Sequence, residues 1–379
     1  MRWPSGIRSA GTSCGIKSDG SYDLGLIASD EPVTWAGTFT KNAAAAAPVL
    51  WSRERLGGKV RAIVCNSGNA NACTGAAGAQ AVRATADAVA ADIGCDPDEV
   101  LVASTGPIGV PLQLDNILSS IGRLKTGLGA DSTDFANAIM TTDTSLKTAA
   151  ASAGNVTVMG VAKGAAMCAP NMATMLAFIG TDASVDAATL QTALDRAVAR
   201  SFNRISIDAC ESTNDSVFAF ASGMGGVVEA TELERALLEV CRSLAEQIAR
   251  DAEGADRLMK IKVEGAADEA TAAELGRAVA DSVLWRCAVH GADPNWGRIL
   301  SAMGSVQRDL DISKISVSIG TELVFDRGEP TGELSAAAKH MAADEFDVVC
   351  NVGSGAGYAE VLSADTSPEY VLLNAEGTS

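Results

Sequence analysis

The sequence predicts a mixed α/β protein with a large first domain and a smaller second one. Three observations carry that expectation. Short apolar runs of strand type alternate along the chain with amphipathic stretches of helical period, a pattern of mixed architecture. At about 100 to 200 residues per domain, 379 residues fill two domains or one large one. Beyond residue 256 a new succession of strand, helix, strand and hairpin begins, which places the boundary between 1–256 and 257–379.

Taken in order, residues 60–65 are apolar except at Arg61 and read as a buried strand. The Asn- and Gly-rich loop Asn66-Ser67-Gly68-Asn69-Ala70-Asn71 follows as a tight turn region. Ser184 reads as the cap of a helix with Leu190, Leu194, Ala197 and Val198 inward. Thr231-x-x-Glu234 has the spacing of a capping box and opens a helix over 231–250, with Leu233, Leu237, Val240, Leu244 and Ile248 on one face. Residues 259–263 alternate apolar and polar like a half-exposed strand, Thr271-x-x-Glu274 opens a third helix, and 315–319 with 323–325 form a hairpin about Gly320.

Composition excludes several function classes. With 47 Asp+Glu against 29 Lys+Arg the net charge is −18, a surface that repels phosphate backbones, so nucleic acid is not an expected partner. The nine cysteines are an odd count without a Cys-x-x-Cys pair, which points to reduced thiols in a cytoplasmic setting and away from a disulfide framework or a zinc cluster. No apolar run follows the N-terminal Met1-Arg2-Trp3-Pro4, so no secretory signal is expected. The eighteen residues 164–181 carry no charge, but Pro170-Asn171 interrupts them and Ala and Met dominate, which favours a buried segment of a soluble protein over a membrane span. Only two histidines are present, no P-loop occurs, and Gly353-Ser354-Gly355-Ala356-Gly357 reads as a turn. Neither a metal nor a cofactor is expected.

The uncharged segment and its flank read Lys163-Gly164-Ala165-Ala166-Met167-Cys168-Ala169-Pro170-Asn171-Met172-Ala173-Thr174-Met175-Leu176. This stretch resembles the glutamate N-acetyltransferase / ornithine acetyltransferase family, whose precursors cleave themselves before a threonine in an Ala-Pro-Asn-Met-Ala-Thr-Met-Leu context. Further similar stretches follow in order: Asn66 to Ala72, Ser104-Thr105-Gly106, Met140-Thr141-Thr142-Asp143-Thr144, Ser212-Thr213-Asn214-Asp215, Glu253-Gly254-Ala255, Asp293 to Arg298, and Tyr370-Val371-x-x-Asn374-Ala375.

The resemblance implies a layered α/β/β/α domain of N-terminal-nucleophile type plus a smaller C-terminal α/β domain whose tail returns to the active site. It implies cleavage between Ala173 and Thr174, after which Thr174 is the nucleophile and its own α-amine, of reference pKa about 7.7 to 8.0, the base. It assigns the oxyanion donors to the Thr105 hydroxyl and the Gly106 N–H, and substrate contacts to Thr141, Lys163, Thr174, Glu253, Asn374 and Ser379. The implied reaction moves acetyl from N-acetylornithine to glutamate in an acetyl cycle of arginine biosynthesis, with acetyl-CoA a donor for some relatives. The implied partners are amino-acid substrates and the two cleavage fragments, associated as a heterotetramer of two of each.

Two other readings stand beside it: an N-terminal-nucleophile amidase or acyltransferase of specialised metabolism with a different amino-acid donor and acceptor, and an unprocessed scaffold of the same fold. Residues 293–298 are read as structural, with Arg298 ion-paired. The chain departs from the family pattern at Ala165-Ala166, Arg286 and Gly377. Those departures bear on which donor and acceptor are used.

Overall fold

The structure is a computed structural model that describes residues 1–169, 175–332 and 334–376. The chain divides into two compact units, one comprising Met1–Asn203 and Glu211–Ile248 and the other Arg204–Cys210 and Ala249–Gly377. Each contains a sheet, so the mixed α/β class with two sheets is present.

The strands of the first half are β1 (Arg8–Thr12), β2 (Leu24–Phe39), β3 (Lys59–Ser67), β4 (Val100–Thr105), β5 (Lys147–Ala153), β6 (Val156–Lys163), β7 (Leu176–Ser184), β8 (Ile205–Ser206) and β9 (Ser216–Val227). The first unit's sheet, eight-stranded among the described residues, has the order β4-β3-β2-β9-β7-β6-β5, with β1 on β2. The β3–β4 and β7–β9 pairs are parallel and the others antiparallel. Its helices are α1 (Ala47–Arg53), α2 (Gly75–Ile93), α3 (Leu114–Gly127), α4 (Thr133–Ile139), α5 (Ala187–Ala199) and α6 (Ala230–Arg250), whose last residues belong to the second unit.

Strand residues alternate between two cores, because successive side chains point to opposite faces. Leu24, Leu26, Ala62, Val64, Val100 and Val102 pack with Val82, Ala86 and Val89 of α2 and with Ile117, Ile121 and Leu124 of α3. On the other face Ile27, Trp35, Ile63, Leu101 and Phe218 pack with Phe178 and with Phe135 of α4. Phe178 stacks on Phe218 at 5.3 Å between ring centroids, and Phe135 meets Phe178 edge-on at 4.9 Å. Burial on both faces explains why 60–65 reads as an almost unbroken apolar run.

The second unit contains β8, β10 (Leu258–Ala266), β11 (Ser316–Ile319), β12 (Glu322–Asp326), β13 (Glu329–Pro330), β14 (Glu345–Asn351) and β15 (Gly357–Ala364), in the order β13-β12-β11-β14-β10-β15-β8. Met259, Ile261 and Val263 of β10 alternate inward and meet Leu275 and Val279 of α7 (Glu269–Asp281). The expected β11–β12 hairpin is formed. Three further helices follow: α8 (Val283–His290), α9 (Trp296–Val306) and α10 (Leu334–Met341). A last one, α11 (Pro368–Glu376), closes the described chain.

The helices expected from sequence are present, but three caps sit elsewhere. Ser184 is the last residue of β7, and Asp186 caps α5 by accepting the Thr189 N–H. Asp268 caps α7 in the same way, so Thr271 is the residue whose N–H is capped. Thr231 lies inside α6, the Glu229 carbonyl accepts from the N–H groups of Glu232 and Leu233, and Glu234 pairs with Arg196. In α5 and α7 a carboxylate, two residues after Ser184 in one and three before Thr271 in the other, is the stronger acceptor and takes the capping position read for a hydroxyl. Among its described residues the uncharged stretch is no helix: 164–169 is a largely buried loop, and the residues from Leu176 onward enter β7. No helix among the described residues is long and apolar enough to cross a membrane.

Candidate active site

The oxyanion pair expected from sequence stands at the end of β4. Thr105 is 8% exposed, and its Oγ1 accepts a hydrogen bond from Lys163 Nζ at 3.2 Å. A hydroxyl oxygen that accepts from an ammonium keeps its own O–H for another acceptor, which is what a developing oxyanion requires. Gly106 follows at φ +137°, and a Cβ there would lie 2.4 Å from the Asn69 nitrogen and 2.6 Å from the Gly68 carbonyl carbon. Only glycine fits that approach.

The loop 66–71 holds this turn through the hydrogen bonds its composition allows. Asn69 N–H donates to the Thr105 carbonyl at 3.0 Å, Asn66 Nδ2 to the Asn69 carbonyl at 2.8 Å, and Ser104 Oγ to Asn66 Oδ1 at 2.6 Å. Asn214 Nδ2 then donates to both the Ala70 carbonyl at 2.7 Å and the Ser104 carbonyl at 2.8 Å. Asn66, Asn69 and Asn214 are all buried, so these bonds replace water that the groups have lost.

Lys163 is the last residue of β6 and 4% exposed. The carboxylate that organises its surroundings is Asp143, quoted in a family-like stretch but given no role by sequence reasoning. Asp143 Oδ1 accepts from Lys147 Nζ and from Gly164 N–H, each at 2.7 Å, while Oδ2 accepts from Thr141 N–H at 3.0 Å. One side chain thus ties the Thr141 loop to the residue after Lys163. Burial by itself would raise the Asp143 carboxyl, but the charges of Lys163 and Lys147 and the Gly164 N–H outweigh it and hold it at about 2.

Thr141 opens on a cleft of about 500 Å³ lined also by Lys17, Ser21, Tyr22, Asp134, Asn137 and Met140. Lys17 Nζ is fixed on the Tyr22 and Met140 carbonyls, both at 2.8 Å, and burial lowers its pKa.

The cleavage-point residues Ala173 and Thr174 lie outside the described residues. Met175 is described, and its N–H donates to Asp215 Oδ1 at 3.0 Å while its carbonyl accepts the Ser216 N–H at 3.2 Å. Asp215 was likewise quoted only as part of a motif. It is 2% exposed, and burial pushes its carboxyl well above the usual range despite Lys163 nearby.

In the second unit, Glu253 and Asn374 are brought together by a hydrogen bond from Asn374 Nδ2 to Glu253 Oε2 at 3.1 Å. Glu253 Oε1 is buried without a partner among the described residues, an acceptor ready for an ammonium group. Gly254, at φ +59°, lets α11 approach: a Cβ would lie 2.4 Å from the Tyr370 nitrogen. Ser379 lies outside the described residues.

Two other sequence features are structural. Buried Arg286 donates from Nε to the Ala364 carbonyl at 2.9 Å and so braces the chain before α11. Arg298 is not ion-paired among the described residues: its guanidinium donates to the Leu284 carbonyl, and Asn295 caps α9. One group of possible metal ligands does converge, Asp256, His290 and Asp365, with ligand atoms within 4.8 Å of one another. Asp365, however, already accepts two backbone N–H groups on Oδ1 and faces His290 Nδ1 at 2.9 Å with Oδ2, which makes the cluster a brace.

Comparison with known proteins gives the chain its relatives. It is 42% identical over 404 residues to the arginine biosynthesis bifunctional protein ArgJ of Thermosynechococcus vestitus, covering 99% of this chain and 96% of that one. It is also 42% identical over 378 residues to the ArgJ of Streptomyces avermitilis, covering 99% and 98%. A solved structure of argJ from Bacillus halodurans matches with a TM-score of 0.51 and 34% identity, covering 53% of this chain and 98% of that one. The family model described as ArgJ family matches residues 8–379, and the chain belongs to that family.

Proposed function

We propose that the chain is a self-processed N-acetyltransferase that passes an acetyl group from N-acetylornithine to glutamate through an acyl-Thr174 intermediate. As a member of the ArgJ family it is an acyltransferase enzyme of arginine biosynthesis. The observation that carries the proposed mechanism is the Lys163–Thr105–Gly106 arrangement. It presents a hydroxyl whose oxygen is already engaged by a cation, next to a glycine N–H at a turn no larger residue can occupy.

In processing, the Thr174 hydroxyl attacks the Ala173 carbonyl carbon and the C–N bond breaks, the nitrogen taking the proton. Water then cleaves the resulting ester, leaving a carboxylate on Ala173 and a free amine and hydroxyl on Thr174. In turnover, that amine takes the hydroxyl proton as the oxygen attacks the acetyl carbon, and Thr105 and Gly106 donate to the oxyanion. Ornithine leaves as the amine, and the α-amine of glutamate attacks the acyl ester. Substrate carboxylate and ammonium are assigned to Lys163 and Glu253, with Thr141, Asn374 and Ser379 as further contacts. The two fragments stay associated as a heterotetramer, in the cytoplasm.

The experiment is a mass spectrum of the purified protein and of its Thr174→Ala variant, with and without N-acetylornithine. Two fragments are expected for the wild type, the one beginning at Thr174 gaining one acetyl group, and a single unacetylated chain for the variant. Two fragments in the variant would end the proposal. Release of acetate without any amine acceptor, at a rate matching transfer, would favour an amidase of the same fold.

A further inference from the structure

Asp215 is a buried acid that the mechanism above does not use. It lies at the start of β9, one residue before Ser216, which pairs with Leu176 of the parallel strand β7. Two consecutive residues therefore grip Met175 from both sides, the Asp215 carboxyl taking its N–H at 3.0 Å and the Ser216 N–H its carbonyl at 3.2 Å. The side chain extends the β7–β9 ladder one bond past its last backbone pair, toward the cleavage point. Met175 is the first residue after Thr174, and the N–H that Asp215 accepts belongs to the peptide unit joining the two.

The residue before it points the other way. Asn214 Nδ2 holds the Ser104 and Ala70 carbonyls, and Ser104 directly precedes Thr105. The dipeptide Asn214-Asp215 thus ties the strand end carrying the oxyanion donors to the strand start carrying the nucleophile. The loop is itself anchored, since the Asp215 carbonyl accepts the Thr40 N–H at 2.9 Å and Thr40 Oγ1 donates to the Ser212 carbonyl at 2.8 Å. Asp215 Oδ2 is buried with no hydrogen-bond partner among the described residues.

We propose that Asp215 is a positioning residue for the nucleophile, its carboxyl oxygen accepting the Met175 N–H and so fixing the peptide unit after Thr174 relative to Thr105 and Gly106. Burial raises the pKa of this carboxyl, the Met175 and Ser212 N–H groups and Lys163 oppose the rise, and Glu211 adds to it. An acyl-transfer site tolerates little misplacement, and a shift of about 1 Å can cost on the order of 10²-fold in rate. The proposal rests on Thr174 being the nucleophile.

The test uses the full chain with Asp215→Asn and Asp215→Ala, with Thr174→Ala as a separate control. Asparagine keeps an acceptor oxygen at the same reach and cannot ionise. It is expected to cleave itself fully and to keep kcat within about 3-fold of wild type, whereas alanine should slow cleavage and lower kcat by about 10²-fold with KM for N-acetylornithine within about 3-fold. An asparagine variant with kcat lowered by about 10²-fold, while melting like wild type, would overturn the acceptor role. An alanine variant with wild-type kcat would overturn positioning altogether. If the alanine chain does not fold, the asparagine variant decides alone by the same kcat criterion. Failure of the nucleophile reading would appear separately, as cleavage or activity in Thr174→Ala.

Discussion

Replacing Asp143 by asparagine tests the electrostatics of the site most directly. The side chains of Asp143 and Lys147 are both 0% exposed, with 2.7 Å between Oδ1 and Nζ. Removing one partner of such a pair costs about 3 to 5 kcal/mol, because an ammonium stays in a low-dielectric interior without this carboxylate. The depressed carboxyl pKa sets a second, smaller figure. A carboxyl held at about 2 instead of 3.8 stabilises the fold by about 2 kcal/mol at about 1.4 kcal/mol per unit. Because the folded-state value is depressed, that stability is present above about pH 4 and is lost as pH falls toward 2.

Urea denaturation of both proteins at pH 7, 4 and 2.5 reads both quantities. Asp143→Asn should be less stable by about 3 kcal/mol or more at pH 7, and the deficit should shrink by about 2 kcal/mol by the lowest pH, where the wild-type carboxyl protonates. KM for both substrates should also rise, since the Thr141 N–H and the Gly164 N–H lose their shared anchor. A variant as stable as wild type at pH 7, or a deficit unchanged down to pH 2.5, would refute the buried-pair reasoning.

Thr105→Val keeps volume and removes one oxyanion donor, so kcat should fall by roughly 10²- to 10³-fold in single-turnover assays while binding persists. Lys163→Met removes both the proposed substrate-carboxylate partner and the cation on Thr105 Oγ1, so it should raise KM for N-acetylornithine and for glutamate and also lower kcat, unlike the loss of a pure binding group. The acidic limb of kcat/KM should follow an amine of pKa about 6.5 to 8 and persist in His290→Gln, whose imidazole belongs to the Asp365 brace; disappearance of the limb in that variant would reassign the base.

Sequence patterning made the elements legible because burial follows the periods of strand and helix. Strand β10, the face of α6 and the β11–β12 hairpin are all read from alternation or from a spacing of three and four. The caps were less legible, since Ser184, Thr231 and Thr271 satisfied a local rule while Asp186 and Asp268 satisfied it with a better acceptor. Nothing local marks Arg204–Cys210 as part of the second unit, where β8 pairs with β15 more than 150 residues away. The site shows the same division. Thr105, Gly106, Thr141 and Lys163 could be named from motifs, but the roles of Asp143 and Asp215 depend on which N–H and which cation a buried carboxyl meets. That pairing is set by tertiary structure, and no spacing along the chain encodes it.

The eighteen uncharged residues 164–181 fit the same geometry. β7 is buried and uncharged from Leu176 to Thr181, ahead of its buried Asp182; Lys163 of β6 pairs with Leu176, Lys147 of β5 meets Asp143, whose carboxyl also takes the Gly164 N–H, and Asp215 precedes β9. Burial raises the Asp215 carboxyl, while the charges of Lys163 and Lys147 and the Gly164 N–H hold the Asp143 carboxyl low against its own burial. Two lysines are thus buried beside Asp143 in a chain whose net charge is −18. Buried cations suit the α-carboxylate and the oxyanion of the proposed transfer. The lysines come from the flanking strands β5 and β6, which leaves 175–181 without a charge of their own.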